Sequence, residues 1–328
     1  MKKKICLTIS VLTLSVLMIY GIGRAYFYIT DGFAVSNITS DLAYDNRWNI
    51  RPLNKTQWKE VEEALAQPYH YFSKGCQSYV FESEDRRYVL KFIKYQRFRN
   101  HFWVDWMARL PLMDRYIAEK NRKKQKKLEN ILTGWCIAYE ELKAETGVVY
   151  VHLNKTNDML GTLRIIDKMG IEHELHLDEM EFMVQRKARM LTETIHQMMA
   201  NEEIDGVKNL LARLLKTILF EYERGISDND QALMQNTGVL DGVPIHIDLG
   251  QFVRRRDVQN PQLMKQQLYN RTYLFNVWLN EHYPEMGEYF GGMLTQIIGP
   301  QINELKYQIK DHNVVWEGEE QEHAAAQG

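Results

Sequence analysis

GISDNDQALMQNTG at residues 225–238 and PIHIDLG at 244–250 are the two stretches on which the fold turns. The first sets Asp228, Asn229, Asp230 and Asn236 in a loop that opens on one glycine and closes on another. Asx side chains there either cap backbone groups of an ordinary turn or present oxygens to a ligand. The second is an apolar strand ending in Asp248–Leu249–Gly250. An aspartate at a strand end, followed by glycine, reaches a metal ion without being buried unpaired; a plain turn aspartate is the simpler alternative.

Upstream of this loop, Ile204, Val207, Leu210, Leu211, Leu214, Leu215, Ile218, Leu219 and Tyr222 recur at helical spacing and predict a helix with one buried face, stopped at Gly225. Asp178 reads as the N-cap of a preceding helix to about Ala200. Further back the pattern is β: YHYF from Tyr69, SYVFES, a turn at Glu84–Arg87, YVLKFIKY, then VVYVHL (148–153), TLRIID (162–167), a turn at Met169–Gly170 and IEHELHL (171–177). One long helix, Asp114 to Glu145, interrupts the strands and closes at Thr146–Gly147. Trp58–Ala66 reads as a short helix, and helices fill most of 260–313. The expectation is an α+β, bilobal molecule: a connector at 26–68, a β-rich lobe at 69–177, a helical lobe at 178–313 and a disordered tail at 314–328.

Two more features join the Asp and Asn residues. SKGCQSYVF (73–81) sets Ser73, Gly75, Ser78 and Val80 at the spacing of a glycine-rich phosphate loop, G-x-G-x-x-G-x-V, with only the middle glycine kept. Lys91 follows in the strand Val89–Leu90–Lys91. A glycine hairpin, strand lysine, long helix, strand pair, buried helix, Asp/Asn loop, hairpin and D-L-G in this order resemble the protein-kinase-like fold over about residues 69–252.

That resemblance implies ATP and Mg²⁺ as cofactors. It implies phosphate binding by Lys91 under the 73–80 hairpin, magnesium at Asn236 and Asp248, and Asp230 or Asp228 as the carboxylate that accepts the acceptor's hydroxyl proton. The sequence departs from the family pattern in several places. There is no His-Arg-Asp triplet, Asp230 precedes Asn236 by six positions where the family has five, and no A-P-E segment follows. The glutamate expected to pair with the strand lysine is Glu129, Glu140 or Glu141, and the lobe junction is expected near Asp167–Gly170. The resemblance implies an atypical kinase acting on a hydroxyl of unspecified chemistry. The alternative is a catalytically inactive pseudokinase serving as a binding or regulatory module, which the eroded glycine loop favours.

Composition is that of a folded chain, 45% hydrophobic and 26% charged over 328 residues. Forty-one basic against 43 acidic residues argue against a nucleic-acid partner. The basic run Lys120–Lys127 reads as a solvated helix face, and Arg254–Arg256 as a weak site for phosphate or anionic lipid. Cys6, Cys76 and Cys136 lack metal spacing, with a Cys76–Cys136 bridge left open. At the N-terminus, Lys2–Lys4 precede an uncharged stretch, Ile5–Gly23, of nineteen residues. At ~1.5 Å per residue it spans about 28 Å, the hydrocarbon thickness of a bilayer. An uncleaved anchor with a cytoplasmic N-terminus and the rest on the far side is expected, the alternative being secretion after signal cleavage.

Overall fold

Hydrophobic alternation builds the first sheet, and the computed structural model describes residues 2–100, 104 and 113–307 of the chain. Its strands are β1 (Tyr69–Lys74), β2 (Ser78–Ser83), β3 (Tyr88–Ile93), β4 (Val148–His152), β5 (Thr162–Ile166), β6 (Glu172–His176) and β7 (Phe182–Arg186), in the order β4-β7-β3-β2-β1-β5-β6. Along β2 every second residue is buried, the signature of a strand with one face on a core. The fold is mixed α+β, and the chain divides into two compact units, Met1–Arg189 with Ile245–Val253, and Met190–Pro244 with Arg254–Gly328.

In the first unit an aromatic chain fills the sheet's inner face. Ring centroids of Phe33 and Phe81 lie 5.3 Å apart, Phe81 and Phe92 5.9 Å, Phe92 and Phe182 6.2 Å. The stretch that reads as a connector contributes Phe33, Ile38, Val61 and Ala64 to this core. The long helix, Asp114–Glu140, is followed by a short turn of helix at Lys143–Thr146, whose cap Gly147 takes φ 63°. That left-handed conformation costs glycine nothing and turns the chain into β4.

Three sequence expectations are corrected here. Asp178 starts no helix: its carboxylate instead receives the amides of Met159, Leu160 and Gly161 at 3.0, 3.0 and 3.2 Å, and the chain runs on into β7. The helix begins only at Leu191. Phe182, Met183, Val184 and Gln185 are all buried, because β7 lies between β4 and β3 and is covered on both faces. Asp167–Gly170 is the tight turn of the β5–β6 hairpin, and the chain leaves the first unit only after Arg189. The N-terminal helix also extends past Gly23, covering Lys2–Thr30, with Ser10–Thr30 long and apolar enough to cross a membrane. Cys76 and Cys136 are not joined in a disulfide. The expected tail at 314–328 lies outside the described residues.

The second unit is helical, with Ile204–Glu223, Pro261–His282 and Pro284–Ile298 around a core of Leu211, Leu215, Ile218, Phe275, Phe290 and Leu294. Gly225 takes φ 68° and ends the first of these helices, releasing the chain into the Asp/Asn loop.

Candidate functional site

Residues 246–250 of the first unit are fixed one by one. The Gln185 amide on β7 donates to the His246 carbonyl at 2.8 Å and to that of Thr146 at 2.6 Å. Lys91 on β3 donates through Nζ to the Ile247 carbonyl. Gly134 lets the long helix close on the next step: a Cβ there would stand 2.3 Å from the Leu249 carbonyl. Gly250 receives the Gln77 side chain, whose Oε1 would lie 2.0 Å from a Cβ at that position. Between these contacts Asp248 stays half-buried, its Oδ1 accepting from the Gly250 amide at a long 3.4 Å.

Lys91 pairs with Val80 across β2–β3 and with Met183 across β3–β7, so it stands at mid-sheet. Leu90 and Phe92 point to the aromatic core, and alternation turns Lys91 to the opposite face. Burial lowers its ammonium to about 8, against the opposing pull of the Asp248 charge. Glu129 and Glu140, two of the glutamates expected to reach it, are engaged by Arg47 and Arg51. Ile247 and Asp248 provide the interactions of Lys91 instead.

The β1–β2 hairpin that carries Ser73, Gly75, Ser78 and Val80 has a tightly held tip. The Gly75 amide donates to the Ser78 carbonyl at 2.9 Å. Lys94 Nζ donates to the Gly75 carbonyl at 2.5 Å, the Lys94 amide to Gln77 at 2.9 Å, and Arg97 to the Cys76 carbonyl. Burial, then the neighbouring Lys74 and Arg97, lower Lys94 to about 8. Gln77 Oε1 is buried with no hydrogen-bond partner, which leaves an acceptor unused beside Gly250.

Asp228, Asp230 and Asn236 belong to the second unit. Asp228 is 5% exposed; its Oδ1 receives the Asp230 amide at 2.9 Å and its Oδ2 lies 3.5 Å from Arg271. Arg271 also pairs with the fully buried Glu221 at 2.9 Å. Burial opposes the Arg271 charge, but Glu221 and Asp228 outweigh it and raise its pKa. Asp230 is half-buried, with Oδ1 accepting from the Ala232 amide at 2.9 Å. Asn236 is buried, and its Nδ2 has no hydrogen-bond partner.

Sequence reading passed over Gln77, Gly134, Glu221 and Arg271. Two of them carried a signal: Gly134 is a helix breaker inside a helix, and Glu221 is a charge on an apolar helical face.

No cluster of three or more His, Cys, Asp or Glu among the described residues holds a metal by itself. Within the first unit, the Asp248 carboxylate is an oxygen donor of the kind Mg²⁺ takes, and Lys91 and Lys94 are cations of the kind that meets phosphate.

No family model matches the chain, and no curated protein matches it. Among solved structures the chain is similar to the bifunctional kinase-methyltransferase WbdD. A medium-resolution structure is 17% identical, with 76% of this chain and 47% of that one covered, at a TM-score of 0.34. A 2.2 Å crystal structure is 17% identical, with 79% and 50% covered, at 0.36. A co-crystal with the kinase inhibitor LY294002 is 18% identical, with 79% and 50% covered, at 0.31. The chain thus spans about half the length of the proteins it matches.

Proposed function

We propose that the chain is an ATP- and Mg²⁺-dependent phosphotransferase with a protein-kinase-like fold, acting on a hydroxyl-bearing substrate. The observation that carries this reading is the treatment of residues 246–250. Contacts from β7, β3, the long helix and the β1–β2 hairpin immobilise the backbone around Asp248 and leave its carboxylate half-buried beside Lys91. A plain turn aspartate needs no such support.

In this reading Ser73, Gly75, Ser78 and Val80 form the cover over the phosphates, and Lys91 neutralises them. Asp248 and Asn236 would hold magnesium, which would offset the charge of the transferring phosphoryl group. Asp230 accepts the acceptor's proton as the hydroxyl oxygen bonds to the γ-phosphorus and the bond to the bridging oxygen breaks, releasing ADP. Asp228, paired with Arg271, orders the loop. Most of the acceleration comes from positioning and charge. The second reading, a pseudokinase, is favoured by the 73–80 hairpin, which keeps only the middle glycine of a phosphate loop.

Calorimetric titration of the detergent-solubilised chain with Mg-ATP tests the proposal. Asp248→Ala should abolish magnesium-dependent binding while leaving the nucleotide-free Tm nearly unchanged. Wild-type binding by that variant would remove the central assignment. Binding by the wild type without transfer to any acceptor or to water would establish the pseudokinase reading.

A further inference from the structure

The N-terminal helix ends in a run of exposed aromatics, Tyr26, Phe27 and Tyr28, at 56%, 50% and 81% exposure. Aromatic side chains at the end of an apolar span belong at the lipid–water boundary. Two hairpins of the first unit meet the helix at this level. Lys74, at the end of β1, sets its ammonium 4.6 Å from the Phe27 ring. Lys168, in the β5–β6 turn, donates to the Tyr28 carbonyl at 3.3 Å, an acceptor near the helix C-terminus. Asp31 ties both down, at 2.6 Å from Lys74 and 3.0 Å from Lys168. Burial alone would raise Asp31, but its hydrogen bonds from Lys74, Lys168 and Tyr71 bring it down to about 2.

The β5–β6 turn is built inside out. Its polar residue, Asp167, faces inward and accepts the amides of Met169 at 2.8 Å and Ile171 at 3.0 Å, with His173 2.9 Å away. Its apolar residues face out, Met169 52% and Ile171 49% exposed. Turns ordinarily present polar side chains to water. Here a rigid turn displays two apolar groups beside the exposed aromatics of an apolar helix.

We propose that the Lys168–Ile171 turn seats the first unit on the bilayer surface: Met169 and Ile171 enter the headgroup–acyl boundary, while Lys168 and Lys74, paired with Asp31, lie at headgroup level. The occupant is lipid because the patch is continuous with the exposed apolar helix that reads as the anchor. Lys74 stands next to the tip of the β1–β2 hairpin, so this seating also holds that tip near the membrane surface. The inference rests on the anchor reading and is independent of phosphate transfer.

The test uses the full chain in phosphatidylethanolamine–phosphatidylglycerol vesicles carrying a lipid with a photoactivatable diazirine near the glycerol. Labelled peptides are identified by mass spectrometry. The peptide holding Met169–Ile171 should be labelled about tenfold or more above the exposed Glu84–Arg87 turn, the ratio expected when two apolar side chains are buried in lipid. A Met169→Glu, Ile171→Glu double variant with an unchanged melting curve should lose that excess. Equal labelling of the two turns, excess retained in the double variant, or crosslinks to a second copy of the chain would each overturn the proposal. Absence of label along Ser10–Thr30 would overturn it together with the anchor reading, while leaving Mg-ATP binding as a separate question.

Discussion

Lys91 is a charged group held where its charge is disfavoured. Its ammonium is lowered from 10.5 to about 8, so below pH 8 both folded and unfolded chains carry the proton and the folded one bears the full burial penalty. Between pH 8 and 10.5 the unfolded chain binds more protons, stability from this group rises, and above 10.5 the penalty is gone. Lys91→Met should therefore raise Tm at pH 7 by about 2–4 °C or more, and the gain should shrink to nothing at pH 10.5, in paired melts of variant and wild type. A residue kept for stability alone would not show that sign. The two loop aspartates divide in the same way. Asp228→Asn weakens a buried pair with Arg271 and should cost on the order of 3 kcal/mol. Asp230→Asn, at a half-buried position, should leave Tm and Mg-ATP affinity close to wild type and lower turnover about a hundredfold to ten-thousandfold. If Asp230→Asn leaves transfer intact, the carboxylate has been misassigned.

At the level of elements, the long helix and the 246–250 segment meet through a glycine. In an ordinary helix interior Gly→Ala gains roughly 1 kcal/mol. Gly134→Ala should do the reverse, because the new Cβ would stand 2.3 Å from the Leu249 carbonyl, a backbone atom with no rotamer to yield. Thermal melts and Mg-ATP titration should both show loss, the second because the displaced backbone carries Asp248. Gly250→Ala is the contrast: its clash is with the Gln77 side chain, which can swing away, so stability should change less. Where periodicity was strong the elements were legible in the sequence, as with β1–β3, the long helix and Ile204–Glu223. The exception, β7, shows the limit of local reading. Asp178 followed three residues later by Glu181 has the form of a helix start. Both carboxylates are spent on partners distant in sequence: Asp178 on the 159–161 amides, and Glu181 on Ser40 at 2.7 Å and Tyr95 at 2.9 Å. Nothing local announces those partners. The same holds for Lys91, whose expected glutamate is replaced by a carbonyl more than 150 positions away in the chain.

On the scale of the whole molecule, the N-terminal helix runs into the first unit with hardly a linker. Asp31 and Gly32 take φ 54° and 73°, which stops the helix and reverses the chain. Phe33, 3% exposed, then packs edge-on against Tyr79 and Phe81 at 5.3 Å each, and Ile38 is fully buried. Ser40 reaches Glu181, a carboxyl that burial pushes up and that the Ser40 and Tyr95 hydroxyls hold. A stretch that reads as polar connector is therefore part of the core. Its apolar residues are too widely spaced for either period to register, so only the folded chain reveals them. Two shortened chains separate these readings. One beginning at Tyr26 keeps Phe33, Ile38 and Ser40 and should melt close to the full-length protein. One beginning at Asn46 loses all three. Burial of Phe33 and Ile38 is worth about 1.5–3 kcal/mol each, and Glu181 would be left without one of its donors. Its Tm should fall by about 10 °C or more, or the chain should fail to fold. Equal melting of the two would show that residues 31–45 are a tether and that the first unit is complete without them.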